Sequence, residues 1–538
     1  MAHDAIVVGA GHNGLAAAVI LAKAGWDVVV VERNQEAGGA VRTAEVTLPG
    51  FRHDLYAANL NLFAGSPFFA EFGEELAAHG LDFAPSAKPF SSVFPGSGFI
   101  GVSTDLDETL AMVEAFSKND AVTWRTLFEW FGTIAPHLFP LLGTPLPSAR
   151  AVRTLMAGAR ALGKEWPFDL TRLVLQSTRE FVEEHFESRE VQALCAAWGM
   201  HLDFPPDVAG GALFPFLETF ADSANGMVLG KGGASTMIDA QVSLLKSLGG
   251  EVRLSAPVER IIVEDGRAVG VQIEGGERLA AGRAVIANLT PKVLFGGLIV
   301  DEHLSERFRR QVRSYKHAPG TMMIHLAMDD LPAWTAGSSV REYAYVHVAP
   351  YMEDMSLAYQ QAVSGLLPER PMLVVGQPTA ADPSRAPEGK HVLWVQVRVV
   401  PGSIVGDAAG AIGSRSWDEA KEPYADRVVD IIEEHAPGTR ERVLGRHVLA
   451  PSDLEAGNPN LIGGDSLGGS HHLMQHFFLR PFPGWTKYRT PVKDLYMCGA
   501  GTWPGAGVGA GSGHLLGKRL TARSPVESLK DRFSDLTG

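Results

Sequence analysis

Hydrophobic positions along this chain change period often enough to mark out its elements. Ala5-Ile-Val-Val8 is an unbroken apolar run, the pattern of a strand buried on both faces. Leu15 to Ala24 is rich in Ala and Leu and predicts a helix that Gly25 stops. Asp27-Val-Val-Val-Val31 predicts a second buried strand with Glu32 at its end. Further on, Ile238 to Leu248 has helical spacing, and Gly249-Gly250 turns it into a strand. Residues 257–264 and 268–273 read as strands joined at Asp265-Gly266, a strong hairpin signal. Residues 284–288 and 495–499 predict two more buried strands, and His514 to Leu520 starts a last helix. Thr104 with Asp107, and Ser117 with Asp120, read as helix starts. The stripes that follow, Leu110, Met112, Val113 and Phe116, then Leu127, Phe128, Trp130, Phe131 and Ile134, are expected to face a core. Aromatic and Leu residues are so dense between 124 and 142 that a greasy channel or a bilayer contact is the alternative. Arg150, Arg153, Arg160 and Lys164 come next and would suit a lipid surface.

Composition narrows the class. At 538 residues the chain is too long for one core, so two or three lobes are expected. Hydrophobic residues at 46% and charged residues at 20% are ordinary for a folded protein and argue against extensive disorder. The formal charge of -14 speaks against general nucleic-acid binding, which needs clustered Lys and Arg. The two cysteines, Cys195 and Cys498, form no C-x-x-C, so no redox dithiol of that type and no cysteine zinc cluster is expected. They fit a reducing cytoplasm. Met-Ala-His-Asp carries no basic region, so no secretory leader is expected. The apolar stretch 5–31 is interrupted by glycines, Asn13, Lys23 and Asp27, and no other stretch nears the roughly 20 apolar residues of a membrane span. The expected location is cytoplasmic, with peripheral membrane contact left open.

The chemistry concentrates where the first strand ends, in Gly9-Ala-Gly11-His12-Asn13-Gly14. Gly9 permits the tight turn, Gly11 lets backbone approach a pyrophosphate, and Gly14 lets helix and strand pack closely. The helix N-terminus offers free N–H groups to phosphate, and Glu32 can accept from both ribose hydroxyls. Strand, glycines, helix, strand and acid in this order form a strong dinucleotide fingerprint. Arg33 and then Glu36-Ala-Gly38-Gly39-Ala40-Val-Arg42-Thr43 follow. Here the sequence resembles the flavin amine oxidase and phytoene desaturase superfamily, with Arg33, Gly38, Gly39 and Arg42 matching its pattern. The resemblance implies that the nucleotide is FAD. It also implies that the backbone of Val258 holds the adenine. The glycine-dense segment Cys498 to Gly513, with Gly499, Gly501, Thr502, Gly507 and Val508, would run along the ribitol and flavin ring. No second βαβ unit with a ribose acid is evident, so a nicotinamide site is not expected.

Within that superfamily, Asn458-Pro-Asn460, Gly463-Gly-Asp465, Phe477-Phe-Leu-Arg480-Pro and the Cys498–Gly513 segment resemble the phytoene-desaturase-related branch. That branch includes the animal pyridine nucleotide-disulphide oxidoreductase domain-containing proteins. Its name implies a redox disulphide, for which this chain has no C-x-x-C. The sequence around His471-His472 departs from the branch. The matches lie at both ends and in the middle. The expected fold is therefore α/β, with a discontinuous Rossmann-type, glutathione-reductase-like FAD domain (1–60, 225–300, 486–538). A mixed α+β substrate domain with a helical cap takes 61–224 and 301–485.

Catalytic candidates are His53 and Asp54, in a segment that by resemblance passes near the flavin, and the pair His471 and His472. Each pair has a structural alternative: a hydrogen-bonded support, or an exposed histidine loop. No metal site is expected, because His-His lacks a spaced third ligand. The leading expectation is an FAD-dependent dehydrogenase or desaturase of a lipophilic, isoprenoid or polyene-like substrate, with oxygen, a quinone or another carrier taking the electrons. An amine-oxidase-like enzyme, a redox-neutral isomerase and a flavin-stabilised interaction protein remain alternatives. Homo-oligomerisation through apolar cap helices also stays open.

Overall fold

The structure is a computed structural model and describes residues 2–96, 98–349 and 351–522. Valine-rich runs build its first sheet. His3–Val8 lies parallel to Val28–Val31 on one side and to Arg278–Ala287 on the other. Glu251–Arg253 extends the sheet beyond Val28–Val31, and Leu495–Met497 pairs parallel with Arg278–Ala287. Five segments distant in sequence thus meet in one sheet. The strands buried on both faces read as continuous apolar runs for that reason. Helices His12–Lys23, Ser235–Ser247 and Gly511–Thr521 share a core with one face of this sheet. The other face is shared with the meander Val258–Glu264 and Arg267–Ile273. That hairpin turns at Asp265 and Gly266, both at positive φ (49° and 72°), as a tight two-residue connection requires.

A second seven-stranded sheet runs in the order Val443–Leu449, Gly320–Met328, His391–Val400, Met372–Gly376, Tyr345–Val348, Phe90–Phe94, Gly98–Val102. Its side chains alternate between two cores. Met322, Ile324, Leu326, Leu393, Val395 and Val397 pack with helix Trp417–His435. Met323, Tyr345 and Trp394 face the opposite way, toward the helices between residues 106 and 225. The fold is α/β, a Rossmann-type nucleotide sheet joined to a mixed α+β lobe with a helical cap.

In the cap, Lys118–Leu142 starts at Ser117, whose side chain accepts from Asp120 N–H. The preceding helix, Leu106–Glu114, is capped by Asp105 rather than Thr104. Asp105 can reach the N–H groups of Asp107 and Glu108. Of the expected stripe, Leu127, Phe131 and Ile134 are buried, and Phe128 and Trp130 are partly buried against the same core, so the stripe is core and not channel. Among the described residues no helix is long and apolar enough to cross a membrane.

Candidate functional site

The glycine fingerprint does what each of its positions requires. Gly9 takes φ +96° at the end of the first strand. A Cβ on Gly14 would stand 2.4 Å from the Gly9 carbonyl oxygen, so only glycine lets the helix sit this close to the strand. Gly11 is the N-cap of His12–Lys23 and offers no side-chain acceptor. The first N–H groups of that helix are therefore free for an anion, beside a cavity of about 570 Å³. Glu32 is buried; its Oε2 accepts from Ala10 N–H (2.8 Å) and its Oε1 from Asn34 N–H (3.0 Å). Segments near the start and near the end of the described residues meet here. Gly513 N–H donates to Asn13 Oδ1 (3.1 Å), and a Cβ on Gly513 would fall 1.9 Å from the Asn13 carbonyl oxygen. Burial pushes the His12 imidazole down to about 4, so it stays neutral at this junction.

Of the expected cofactor residues, Gly9, Gly11, His12, Asn13, Glu32 and Arg33 line the cavity. Gly39, Ala40, Val258, Gly499, Gly507 and Val508 line it too. Gly14, Gly38, Arg42, Gly501 and Thr502 do not form its wall; they stand behind it. Gly38 N–H donates to Ala10 O (2.9 Å), and a Cβ there would meet Val41 O at 2.3 Å. Arg42 pairs with Glu36 (2.8 Å). Thr502 Oγ1 donates to Gly499 O (2.9 Å) and shares a hydrogen bond with Ser512. Gly501 packs on Thr290 and Pro291. An uncapped helix start, a fixed acid and a run of backbone that tolerates no Cβ fit a flavin dinucleotide lying between the first and last segments.

The cavity continues past these segments to the second sheet. Tyr345 and Trp394 stack there with ring centroids 5.4 Å apart and planes within 6°. Gln396, Arg398, Thr321 and Met323 lie on the same sheet face. Opposite them are Trp198, His201 and Leu202 of Ala197–Leu202, and Phe214 and Glu218 of helix Leu213–Asn225. Burial pushes the Glu218 carboxyl up to about 7. Asp222, one turn further on, is also raised well above the usual range, first by burial and then by Glu218. Asn61 Nδ2 donates to Asp222 (2.8 Å). His201 is held well below its ordinary value by burial and then by Arg398, so it is neutral.

A family model described as flavin containing amine oxidoreductase matches residues 14–509, which takes in most of the first helix, the meander and most of the C-terminal glycine segment. The chain belongs to that family. Its similarity to curated relatives is strong along nearly the whole length. Pyridine nucleotide-disulfide oxidoreductase domain-containing protein 2 of Rattus norvegicus is 30% identical, covering 96% of this chain and 94% of its own. One of the subunits of limonene dehydrogenase from Castellaniella defragrans is 25% identical (96% and 94% covered), and phytoene desaturase of Fusarium fujikuroi is 25% identical (94% and 86%). An oxidoreductase structure from Methanosarcina mazei superposes with a TM-score of 0.63 at 18% identity, covering 96% of this chain and all of the other, a likeness of fold. The chain is thus a phytoene-desaturase-related flavin oxidoreductase, and FAD is its cofactor. Its two cysteines are buried and unpaired, so no disulfide joins them despite the name of the first relative.

In this flavin oxidoreductase the four expected catalytic side chains are not in the cavity wall. His53 is buried, shares a hydrogen bond with Thr47 Oγ1 (2.8 Å) and is pushed down to about 3 by burial, His447 and Arg385. Asp54 accepts from Thr43 Oγ1 (2.6 Å), Ala234 N–H (2.7 Å) and Arg385 Nη1 (2.5 Å). The pair therefore supports the sheet and the glycine turn at 230–233, and they do not bond to each other. His471 is buried and its Nε2 accepts from Ala506 N–H (3.0 Å), so it positions the turn leading into Gly507. His472 Nε2 donates to the Asp203 carbonyl (2.6 Å) and ties two loops together. The residues that do reach the cavity from the substrate side, Trp394, Gln396 and Arg398, went unnoticed in the sequence. Their signal was present: in His391–Val400 three large or polar residues recur at period two within an apolar strand.

Proposed function

We propose that this chain is an FAD-dependent dehydrogenase or desaturase of lipophilic, isoprenoid or polyene-like substrates. The observation that carries the reading is the cavity wall facing the cofactor segments. Leu202, Phe214, Met323, Leu461 and the stacked Tyr345–Trp394 pair make it largely apolar and aromatic. Two relatives are named for dehydrogenating limonene and desaturating phytoene. FAD, when bound, supplies an acceptor for the hydride leaving a substrate C–H bond. The chain supplies the rest. Apolar side chains orient the substrate and exclude water. The Glu218 carboxylate takes the proton lost from the adjacent carbon, leaving a C=C bond. The electrons pass on to oxygen, a quinone or another carrier.

Substrate of this class would come from lipid. Helix Ala149–Leu162 leaves Val152, Leu155 and Met156 exposed, and the next helix, Trp166–Leu175, leaves Phe168 and Leu175 exposed. Arg150, Arg153 and Arg160 on the first helix make no ion pair among the described residues, although the chain as a whole is acidic (-14). That combination suits an anionic bilayer met from the cytoplasmic side. An amine substrate is the second reading, favoured by Glu218, a cavity carboxyl with no hydrogen-bond partner among the described residues that could pair an ammonium group. Mass spectrometry after incubation of the FAD-loaded protein with isoprenoid and polyene panels tests the first reading. A product lighter by two hydrogens is expected; hydrogen peroxide and aldehyde from amines, with polyenes unchanged, would replace it with the second.

A further inference from the structure

We propose that Arg398 receives the carboxylate of the substrate in this cavity, which narrows the lipophilic reading on which it rests to lipophilic acids. The strand His391–Val400 carries a bulge at this point. Gly320 pairs with Val400 and Met322 with Val397, so Arg398 and Val399 together oppose the single Thr321. Val399 takes φ +56°, a conformation that a β-branched residue rarely adopts. The bulge breaks the alternation of the strand. Arg398 lines the cavity, and Val399, its neighbour, packs in the core on that same side. Bulges gather near functional sites.

Arg398, which reaches the cavity in step with Trp394 and Gln396, is incompletely used. It is 5% exposed and makes no ion pair among the described residues. Nε and Nη2 donate to Met200 O (3.3 and 3.1 Å), and Nη2 also to His201 O (2.5 Å). Nη1 has one contact, Ser466 Oγ at 3.5 Å. The acids that act on it are engaged elsewhere: Asp465 with His317, Leu467 N–H and Gly469 N–H, and Asp203 with Tyr359. The other large buried arginines differ. Arg385 is matched by Asp54 and Asp382, and Arg480 lies outside the cavity with all three nitrogens on backbone carbonyls. A buried guanidinium with a free edge calls for an anion.

Two neighbouring donors share that need. Trp198 is 3% exposed and lines the cavity, and its indole Nε1 has no acceptor among the described residues. His201, also in the wall, is neutral and its Nε2 likewise has no partner. Guanidinium, indole and, as its Nε2–H tautomer, imidazole are donors, and a carboxylate is an acceptor-only group.

The test uses FAD-loaded protein, with farnesoate and its methyl ester as probes and binding read by the change in flavin absorbance and tryptophan fluorescence. The acid should bind at least tenfold tighter than the ester. Arg398→Met should erase that ratio, Arg398→Lys should restore part of it, and Trp198→Phe should weaken the acid severalfold more than the ester. Equal binding of acid and ester to the native protein would overturn the proposal while leaving the lipophilic reading standing. So would an acid preference that survives Arg398→Met. Binding of neither probe would overturn both. The native ratio needs no variant, so a poorly folding Arg398→Met does not protect the proposal.

Discussion

Asp54 and Arg385 form an ion pair at 2.5 Å with both side chains out of contact with water. Removing one partner from such a pair leaves a buried charge uncompensated. Asp54→Asn is therefore expected to destabilise the protein by about 3–5 kcal/mol, measured as a shift in the urea midpoint. His53→Gln should retain turnover, as a supporting residue would and a catalytic base would not. Glu218 gives the opposite expectation. Its folded value, about 7, lies above its ordinary 4.5, so the folded state holds this proton more tightly. Stability from this group is full below about 4.5 and is lost as pH rises through about 7. Turnover moves the other way, because the ionised carboxylate accepts the proton. kcat/KM should rise through pH 7 and level off, and Glu218→Gln should remove that inflection; an unchanged profile in the variant would exclude Glu218 as the base. The support at His53 and Asp54 was one of two readings the sequence offered; the role of Glu218 was not legible there. A lone Glu in an apolar helix looks like a surface charge until the cavity is seen. The conspicuous His471-His472 pair is consumed by backbone contacts.

At the scale of elements the sequence spoke more clearly. Asp265-Gly266 marked its hairpin, because this conformation leaves few residue choices. The valine runs marked buried strands for the same reason that they pack on both faces. The stripe Leu127, Phe128, Trp130, Phe131 and Ile134 read as core, and it lies in or against the core. The cap boundary at Asp105 was missed by one position, since Thr104 and Asp105 are both good caps and only geometry separates them. Helix Ala149–Leu162 is where pattern and structure leave an open face. We expect the protein to co-sediment with vesicles containing anionic phosphatidylserine and not with neutral phosphatidylcholine vesicles. Val152→Asp with Met156→Asp should abolish this, and added salt should weaken it. Self-association in place of vesicle binding would assign the face to a second copy of the chain.

Over the whole molecule, distant segments have to meet before any of them means FAD. Asn13 and Gly513, nearly the full chain apart, lie in contact, and Val258 enters the same cavity from the middle. Each segment was visible in the sequence as glycines and apolar runs. Their convergence came only by resemblance, because glycine spacing shows where backbone can come close and not what it comes close to. The substrate wall was less legible still. It is assembled from one face of an antiparallel strand and the inner faces of cap helices, all apolar in composition and indistinguishable from core until the cavity separates them. The central claim is that this cavity delivers the C–H bonds of a lipophilic substrate to the flavin. The most direct test is an anaerobic titration of the FAD-loaded protein with polyenes, isoprenoid acids and amines, followed by loss of the oxidised flavin absorbance. We predict bleaching by a polyene or isoprenoid compound and none by amines; bleaching by amines alone would contradict the account.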